Sequence, residues 1–245
     1  MLSPLETGIY AGLGVAAVAG LAVGGYAYAS LWPASRIFGR PLTAPRRLGE
    51  LALTFDDGPN ATWTPRLLEA LARHDVRATF FMLGSRAAEQ PELVRQIAAA
   101  GHTIGLHTWS HPKLSHCSAA CIREEITRSC TAIEQILGTQ VRFFRPPFGA
   151  RRPAVFRIAR EMGLEVVLWD AMTSDWSDQN PDRIVAHLAR KIDCIGQRGR
   201  AAIVVLHDGG HLDPAANRAP SVAAADLLVA RYKATHRFVT LDAWL

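Results

Sequence analysis

The sequence predicts an α/β fold, a deformed (β/α)7 barrel, because strand-like and helix-like segments alternate along most of the chain. Seven short runs are candidate strands: Leu51–Phe55, Ala78–Met82, Thr103–His107, Arg142–Arg145, Glu165–Trp169, Ala202–Leu206 and Phe238–Leu241. Six helical patterns lie between them: Pro65–His74, Pro91–Ala100, Ser118–Leu137, Pro153–Met162, Pro181–Asp193 and Ser221–Lys233. Strands and helices in this order form parallel sheets with helical crossovers, so a barrel is expected.

The composition is that of a globular protein. Hydrophobic residues make up 49% of the chain and charged residues 20%, which excludes a disordered protein. The net charge of +5 is spread along the sequence without a basic, aromatic-rich stripe, so we expect no nucleic-acid partner. The positions of the four cysteines do not predict whether they form disulfides. The sequence does not predict the oligomeric state.

Residues 1–35 are predicted to be an N-terminal membrane anchor. The stretch from Gly8 to Leu31 carries no charge and is long enough for a transmembrane helix, with Trp32 at the expected interface. A cleaved signal peptide is the alternative, with Ala27-Tyr28-Ala29 as its cleavage site. The early Glu6 and the absence of Lys or Arg before the stretch favour a retained, single-pass anchor in the plasma (inner) membrane.

Residues 36–50 read as a linker, and residues 51–245 as the catalytic domain. The linker contains two prolines and four arginines, namely Arg36, Arg40, Arg46 and Arg47. By the positive-inside rule these arginines favour a cytoplasmic domain, so the side of the membrane is left open.

Polar side chains gather at the C-terminal ends of the predicted strands. They are Asp56, Asp57, His107, Arg145, Asp170, Asp175 and His207. In β/α barrels the active site forms on this face, so residues far apart in sequence are expected to meet in one mouth.

The spacing of His107 and His111 suggests a metal site. Residues four apart share one face if the segment after the strand turns helical, and Asp57 would complete a His₂Asp ligand set. One of the adjacent aspartates would bind the metal and the other would accept a proton from water. Alternatively, both belong to an ordinary Asp-Gly-Pro turn. The remaining nearby histidines, His102, His116 and His211, fit no such geometry and are expected on the surface or in loops.

Five motifs in order resemble those of the polysaccharide deacetylase family, the NodB-homology domain of carbohydrate esterase family four. The motifs are Thr54-Phe55-Asp56-Asp57-Gly58-Pro59, His107 to His111, Arg145-Pro146-Pro147-Phe148, Asp175-Trp176 and Val205-Leu206-His207. The similarity extends over residues 51–241. It implies a deformed barrel and a glycan substrate.

The resemblance also implies a role for each charged residue. Asp56 would be the general base, while Asp57, His107 and His111 would hold a divalent metal, commonly zinc, with cobalt, manganese or nickel as alternatives. Arg145 would pair with Asp56 and keep it ionised. Asp175 would orient His207, which would protonate the leaving amine; Asp170 is a possible further partner.

The substrate-binding residues follow from the same resemblance. The backbone N–H of Phe148 would stabilise the oxyanion, and Trp176 would wall the acetyl pocket together with Val205 and Leu206. Two positions depart from the common pattern, because Val205 stands where relatives often have leucine and Phe148 where many have tyrosine. The backbone N–H donor is unaffected by the second change.

The predicted function is metal-dependent N-deacetylation of an amino sugar in a glycan such as peptidoglycan or a chitin-like oligosaccharide, with release of acetate. An amide carbonyl is unreactive, so the reaction needs a metal, a base and fixed oxyanion donors. The alternatives are deacylation of a lipid-linked amino sugar at the cytoplasmic leaflet, an O-acetyl esterase, and a catalytically silent carbohydrate-binding relative. The sequence does not identify the sugar.

Overall fold

A parallel sheet of eight strands forms the centre of the computed structural model, which describes Gly20 and residues 23–245. The strands are β1 Glu50–Gly58, β2 Thr79–Met82, β3 Thr103–Leu106, β4 Phe143–Phe144, β5 Glu165–Val166, β6 Ala171–Met172, β7 Ala202–His207 and β8 Arg237–Phe238. Their order is β5-β4-β3-β2-β1-β7-β6, and β8 pairs with β1. The longest strand, β1, is buried along its whole length and lies in the middle of the sheet.

The sheet curls into a parallel half-barrel. Its two outermost strands, β5 and β6, are the ends of one extended segment, residues 165–172, of which one end pairs with β4 and the other with β7. Among the described strands none pairs β5 with β6, so the prediction of a seven-stranded barrel is wrong. The sequence analysis missed β6 because no helix separates it from β5.

Seven helices accompany the sheet in the described part of the chain after residue 50. They are α1 Trp63–Arg73, α2 Gly84–Glu89, α3 Pro91–Ala99, α4 Ala119–Leu137, α5 Pro153–Glu161, α6 Pro181–Gly196 and α7 Ala219–Tyr232. Six lie where the sequence predicts helices. The six-residue α2 is too short to show a helical period.

Two apolar clusters hold the sheet, one on each face. Leu53, Phe80 and Phe144 belong to the larger cluster, which includes the buried faces of the helices. Their strand neighbours Phe81 and Phe143 belong to the smaller cluster on the inner face. Successive side chains in a strand point to opposite faces, so both faces of these parallel strands are buried.

The described end of the predicted anchor packs on the domain. Residues 23–31 are helical, and the buried guanidinium of Arg151 donates hydrogen bonds to the carbonyl oxygens of Trp32 at 2.6 Å and Ser35 at 3.2 Å. The linker continues along the sheet, where Leu42 forms a parallel bridge with Val167, the residue after β5.

The predicted N-terminal transmembrane helix is not supported. Across Gly20 and residues 23–245, no helix has both the length and the apolar character needed to cross a bilayer. The prediction of a single-pass plasma-membrane anchor is therefore wrong for the described residues. The rest of its predicted span, residues 1–19, 21 and 22, lies outside them.

Candidate active site

The two-residue period of the strands places Asp56, Arg145 and His207 on the inner face of the half-barrel. The inner cluster contains Ala52, Phe143 and Ile203. Residues an even number of positions apart in a strand point to the same face. Asp56 is four residues after Ala52, Arg145 two after Phe143 and His207 four after Ile203. Because the strands are parallel, these side chains meet at the C-terminal edge of the sheet, as the sequence predicts.

The backbone changes hand between the two adjacent aspartates. Asp57 has a φ of 70°, in the left-handed region that non-glycine residues rarely occupy. Among the described residues, five non-glycine residues have positive φ, and four of them, Asp57, Thr108, His111 and Phe148, surround this site. Such strain persists only where the surrounding structure enforces it, and it concentrates at functional sites.

Asp56 pairs with a buried arginine. The guanidinium of Arg145 is completely buried, and its NH1 lies 2.6 Å from Oδ1 of Asp56. The same NH1 donates to the hydroxyl of Thr54 at 2.8 Å, and the guanidinium carbon lies 4.0 Å from the centre of the Phe81 ring. A buried guanidinium requires such a partner, and the Asp56 carboxylate supplies it.

Asp57 faces the two histidines instead. Its Oδ1 lies 3.4 Å from Nε2 of His107 and 3.1 Å from Nε2 of His111. Ligand atoms of these three buried residues all lie within 4.8 Å of one another, close enough to share one metal ion. The structure thus brings together the predicted ligand set.

The segment between the two histidines is not helical. Residues 107–111 form a loop in which both Trp109 N and Ser110 N donate to Oε2 of Glu125 on α4 at 2.9 Å. The hydroxyl of Thr108 accepts a hydrogen bond from His111 N at 3.1 Å. These bonds, rather than a helical turn, bring the imidazole rings to a centroid distance of 5.0 Å.

The donor set fits a divalent cation. Nδ1 of His107 lies 2.8 Å from the carbonyl oxygen of Arg145, to which it must donate its proton, leaving Nε2 with a lone pair. That lone pair faces Asp57 Oδ1, a buried oxygen that accepts no hydrogen bond. Two acceptors opposed at this distance are unfavourable unless a proton or a metal cation lies between them.

Protonation states agree with this role. Burial by itself would raise the pKa of Asp57, but the imidazoles of His107, His111 and His211 hold it well below its usual range. Burial lowers the pKa of His111. A carboxylate and a neutral imidazole are the forms that bind metals.

His207, the predicted proton donor, is oriented by Asp175. Nδ1 of His207 donates to Oδ1 of Asp175 at 2.9 Å, while the backbone N–H of His207 and the hydroxyl of Ser221 donate to Oδ2 at 2.8 and 2.7 Å. Burial would lower the pKa of His207, but the charge and hydrogen bond of Asp175 raise it to about 9. His207 is therefore an imidazolium at neutral pH.

A cavity of about 430 Å³ is lined by both aspartates and all three predicted histidines: Asp56, Asp57, His107, His111 and His207. Phe148 and Trp176 stand at its wall with 50% and 44% of their surface exposed, and the Trp176 ring meets His207 edge to face at 5.0 Å. Val205 and Leu206 are completely buried in β7 and are not among the residues that line the cavity. Their role in substrate binding stays a prediction.

Asp170 lies apart from this arrangement. Its carboxylate accepts the backbone N–H of Ile203 at 3.0 Å and lies 3.4 Å from the guanidinium of Arg200. It therefore ties the start of β6 to β7, whereas Asp175 is the aspartate that contacts His207.

Sequence reasoning missed Asp208. It directly follows His207, is buried, and accepts a hydrogen bond from the hydroxyl of Thr64 on α1. Burial raises its pKa to about 7. A side chain on Gly58 would place its Cβ 2.3 Å from this carboxylate, so the turn after Asp57 requires glycine there. Asp208 is also a polar residue at the C-terminal end of a strand, β7, so the signal that identified the other site residues was present for it as well.

His211 lies in a loop and outside the metal-ligand group, as expected, but its position beside the site was not predicted. It lines the cavity, with Nδ1 3.3 Å from Oδ2 of Asp57. No residue spacing links it to the other histidines. Arg218 also lines the cavity and holds this loop by donating from Nε to the carbonyl oxygen of Gly209 at 2.6 Å.

Comparison with known proteins decides the family. A family model described as polysaccharide deacetylase matches residues 44–167, half of the chain. The chain belongs to the polysaccharide deacetylase family. The predicted resemblance is thereby confirmed, and with it the enzyme class, a hydrolase of N-acetyl amide bonds in glycans.

Named relatives cover most of the deacetylase domain. A Bacillus cereus peptidoglycan-N-acetylglucosamine deacetylase is 35% identical over 202 residues, 81% of this chain and 69% of the relative. A Bradyrhizobium chitooligosaccharide deacetylase is 38% identical over 177 residues, 69% of this chain and 78% of the relative.

Solved structures share the fold. The crystal structure of the Bc1960 peptidoglycan N-acetylglucosamine deacetylase matches with a TM-score of 0.73 and 33% identity, over 82% of this chain and 90% of that one. A family 4 pseudoenzyme from Bacillus anthracis matches with a TM-score of 0.70 and 27% identity, over 84% of this chain and 66% of that one. Since the fold occurs in both, activity must be argued from the site residues.

Gly209→Ala tests how tightly the site is packed. The new Cβ would lie 2.1 Å from the carbonyl oxygen of Asp57, so the strained backbone that carries the metal ligand must move. We expect weaker binding of divalent metal and a free energy of unfolding lowered by about 1–3 kcal/mol.

Metal titration and chemical denaturation measure the two effects. Gly196→Ala is the matched control, because no atom lies within 4 Å of its added Cβ. Metal affinity and stability equal to those of the parent in Gly209→Ala would contradict the close packing at Asp57.

Proposed function

We propose that this protein is a zinc-dependent N-deacetylase that hydrolyses the acetamide of an N-acetylated amino sugar in a glycan and releases acetate. The observation that carries the proposal is the separation of the two carboxylates. Asp57 Oδ1 faces two imidazoles, whereas Asp56 is paired with Arg145 and keeps its other oxygen, Oδ2, 4.0 Å from Nε2 of His107. The site thus has a ligand set and an independent base side by side.

Asp56 accepts the proton of the attacking water. Zinc held by Asp57, His107 and His111 would polarise the acetyl carbonyl and acidify water at the same place. Arg145 fixes Oδ1 of Asp56 at 2.6 Å and leaves Oδ2 directed to the space beside the ligands. A base in this position deprotonates water as its oxygen attacks the carbonyl carbon.

His207 returns a proton to the leaving group. An amine leaves an amide only if its nitrogen is protonated as the carbon–nitrogen bond breaks. His207 carries that proton at neutral pH, and Asp175 both orients its ring and stabilises its charge. The proton transfers are then divided between Asp56 and His207, which are register partners on the paired strands β1 and β7.

The cavity wall receives the acetyl group. The backbone N–H of Phe148 is the proposed oxyanion donor, and the Trp176 ring beside His207 would cover the acetyl methyl group. Val205 and Leu206 would support this wall from within β7, with Val205 two residues before His207 on the inner side.

Substrate assays test the proposal. The purified full chain, loaded with zinc, would be given N-acetylglucosamine oligomers and peptidoglycan, the two substrate classes in the names of the relatives. We expect acetate release that is lost with a chelator and restored by zinc. No release from either substrate by zinc-loaded, folded protein would overturn the proposal and favour a silent carbohydrate-binding relative.

Asp56→Asn separates the base from the metal ligands. The amide cannot accept the proton, so we expect acetate release to fall by at least ~10²-fold. Because Asp57, His107 and His111 are untouched, the variant should still bind zinc. Acetate assays with measurement of bound zinc give both quantities. Undiminished turnover would exclude Asp56 as the base, and loss of zinc by a variant shown to be folded by circular dichroism would make it a ligand.

The alkaline side of the pH profile tests His207. Its pKa is raised to about 9, so it is protonated below that pH, and kcat is expected to fall as the pH rises through this value. Asp175→Asn removes the charge that raises the pKa, and the fall should move to lower pH. Asp226→Asn, which alters a carboxylate on α7 that binds Arg73 and His74, is the matched control. An alkaline midpoint unchanged by Asp175→Asn would contradict the role of His207.

A further inference from the structure

His211 contacts two of the three metal ligands at once. Its Nδ1 lies 3.3 Å from Oδ2 of Asp57, and its ring stacks on that of His111 with centroids 4.1 Å apart and planes inclined by 23°. Among the described residues, the group whose atoms could share one metal ion comprises Asp57, His107 and His111 without His211. The histidine therefore stands just outside the ligand set.

The two oxygens of Asp57 have different partners. Oδ1 faces the imidazoles of His107 and His111 and accepts no hydrogen bond, whereas Oδ2 faces His211. A carboxylate that accepts an N–H bond on one oxygen is fixed in rotation, and its other oxygen is then aimed at the metal.

The loop that carries His211 is held in place from two sides. Before the histidine in sequence, the carbonyl oxygen of Gly209 accepts a hydrogen bond from Nε of Arg218 at 2.6 Å. After it, the carbonyl oxygen of Pro214 accepts one from the side-chain amide of Asn60 at 2.9 Å. Asn60 lies three residues after Asp57, so the ligand and the loop are tied to each other.

We infer that His211 is a positioning residue for the metal site: it holds the Asp57 carboxylate by a hydrogen bond and restrains the His111 ring by stacking. It acts through these ligands and has no bond of its own to the metal. Phe148 supports the arrangement, with its ring edge to face against both His111 at 4.6 Å and His211 at 5.6 Å. The inference rests on the metal site of the proposed function.

Zinc affinity of the full chain, measured by competition with a chromophoric chelator, tests the inference without a substrate. Loss of such an outer hydrogen bond typically weakens metal binding ~10–100-fold, which is the effect expected for His211→Ala. His211→Asn keeps an amide N–H near the position of Nδ1 and should recover much of the affinity. His116→Ala, which removes an exposed histidine from the short helix Leu114–His116, should bind zinc as the parent does.

Cobalt absorption provides a readout that a merely structural role would not change. We expect His211→Ala to alter the visible d–d bands of the cobalt-loaded protein and His211→Asn to retain them, because the bands report ligand geometry. Parent-like zinc affinity and bands in His211→Ala, or equal weakening in both His211 variants, would overturn the inference. Normal zinc binding by a parent that releases no acetate would refute the proposed function alone, and a parent that binds no zinc would refute both.

Discussion

At the end of β1, two adjacent carboxylates are held apart by the left-handed backbone at Asp57. Asp56 remains in strand geometry and faces the inner side of the sheet, where it meets Arg145 at 2.6 Å. Asp57, with its φ of 70°, turns toward the imidazoles of the neighbouring loop. A single extended strand would place consecutive side chains on opposite faces of the sheet. The turn is what allows both carboxylates to act in one site.

Arg145 makes the second connection on which the site depends. Its guanidinium neutralises Asp56, and its carbonyl oxygen sets the tautomer of His107 by accepting the Nδ1 proton. One residue thus contacts both the proposed base and a proposed metal ligand. Removing a partner from a buried ion pair typically costs ~3–5 kcal/mol, so substitutions here would disturb folding as well as chemistry.

Much of the site could be predicted because strand ends leave a clear mark in a sequence. Asp56, His107, Arg145 and His207 each lie at or next to the last residues of a buried apolar run. The structure places three of them on the wall of one cavity and pairs the fourth, Arg145, with Asp56. The ordered motifs then identified the family. Strand and helix positions followed from periodicity, except for the two-residue β6, which no helix separates from β5, and the six-residue α2.

The rest depended on tertiary contacts that leave no local pattern. The loop from His107 to His111 is shaped by Glu125 on α4, fourteen residues after His111, rather than by its own spacing. His211 reaches Asp57 because Arg218 and Asn60 fix its loop. The apolar N-terminal stretch predicted a spanning helix that the described residues do not contain, and its pattern does not indicate that Arg151 donates hydrogen bonds to the carbonyl oxygens of Trp32 and Ser35.

A crystal structure of the zinc-loaded protein is the most direct test of the division between the two aspartates. It should show zinc bonded to Asp57, His107 and His111, with Asp56 outside the coordination sphere and still paired with Arg145. Zinc bonded to Asp56, or an Asp57 carboxylate turned away from the metal, would contradict the assignment.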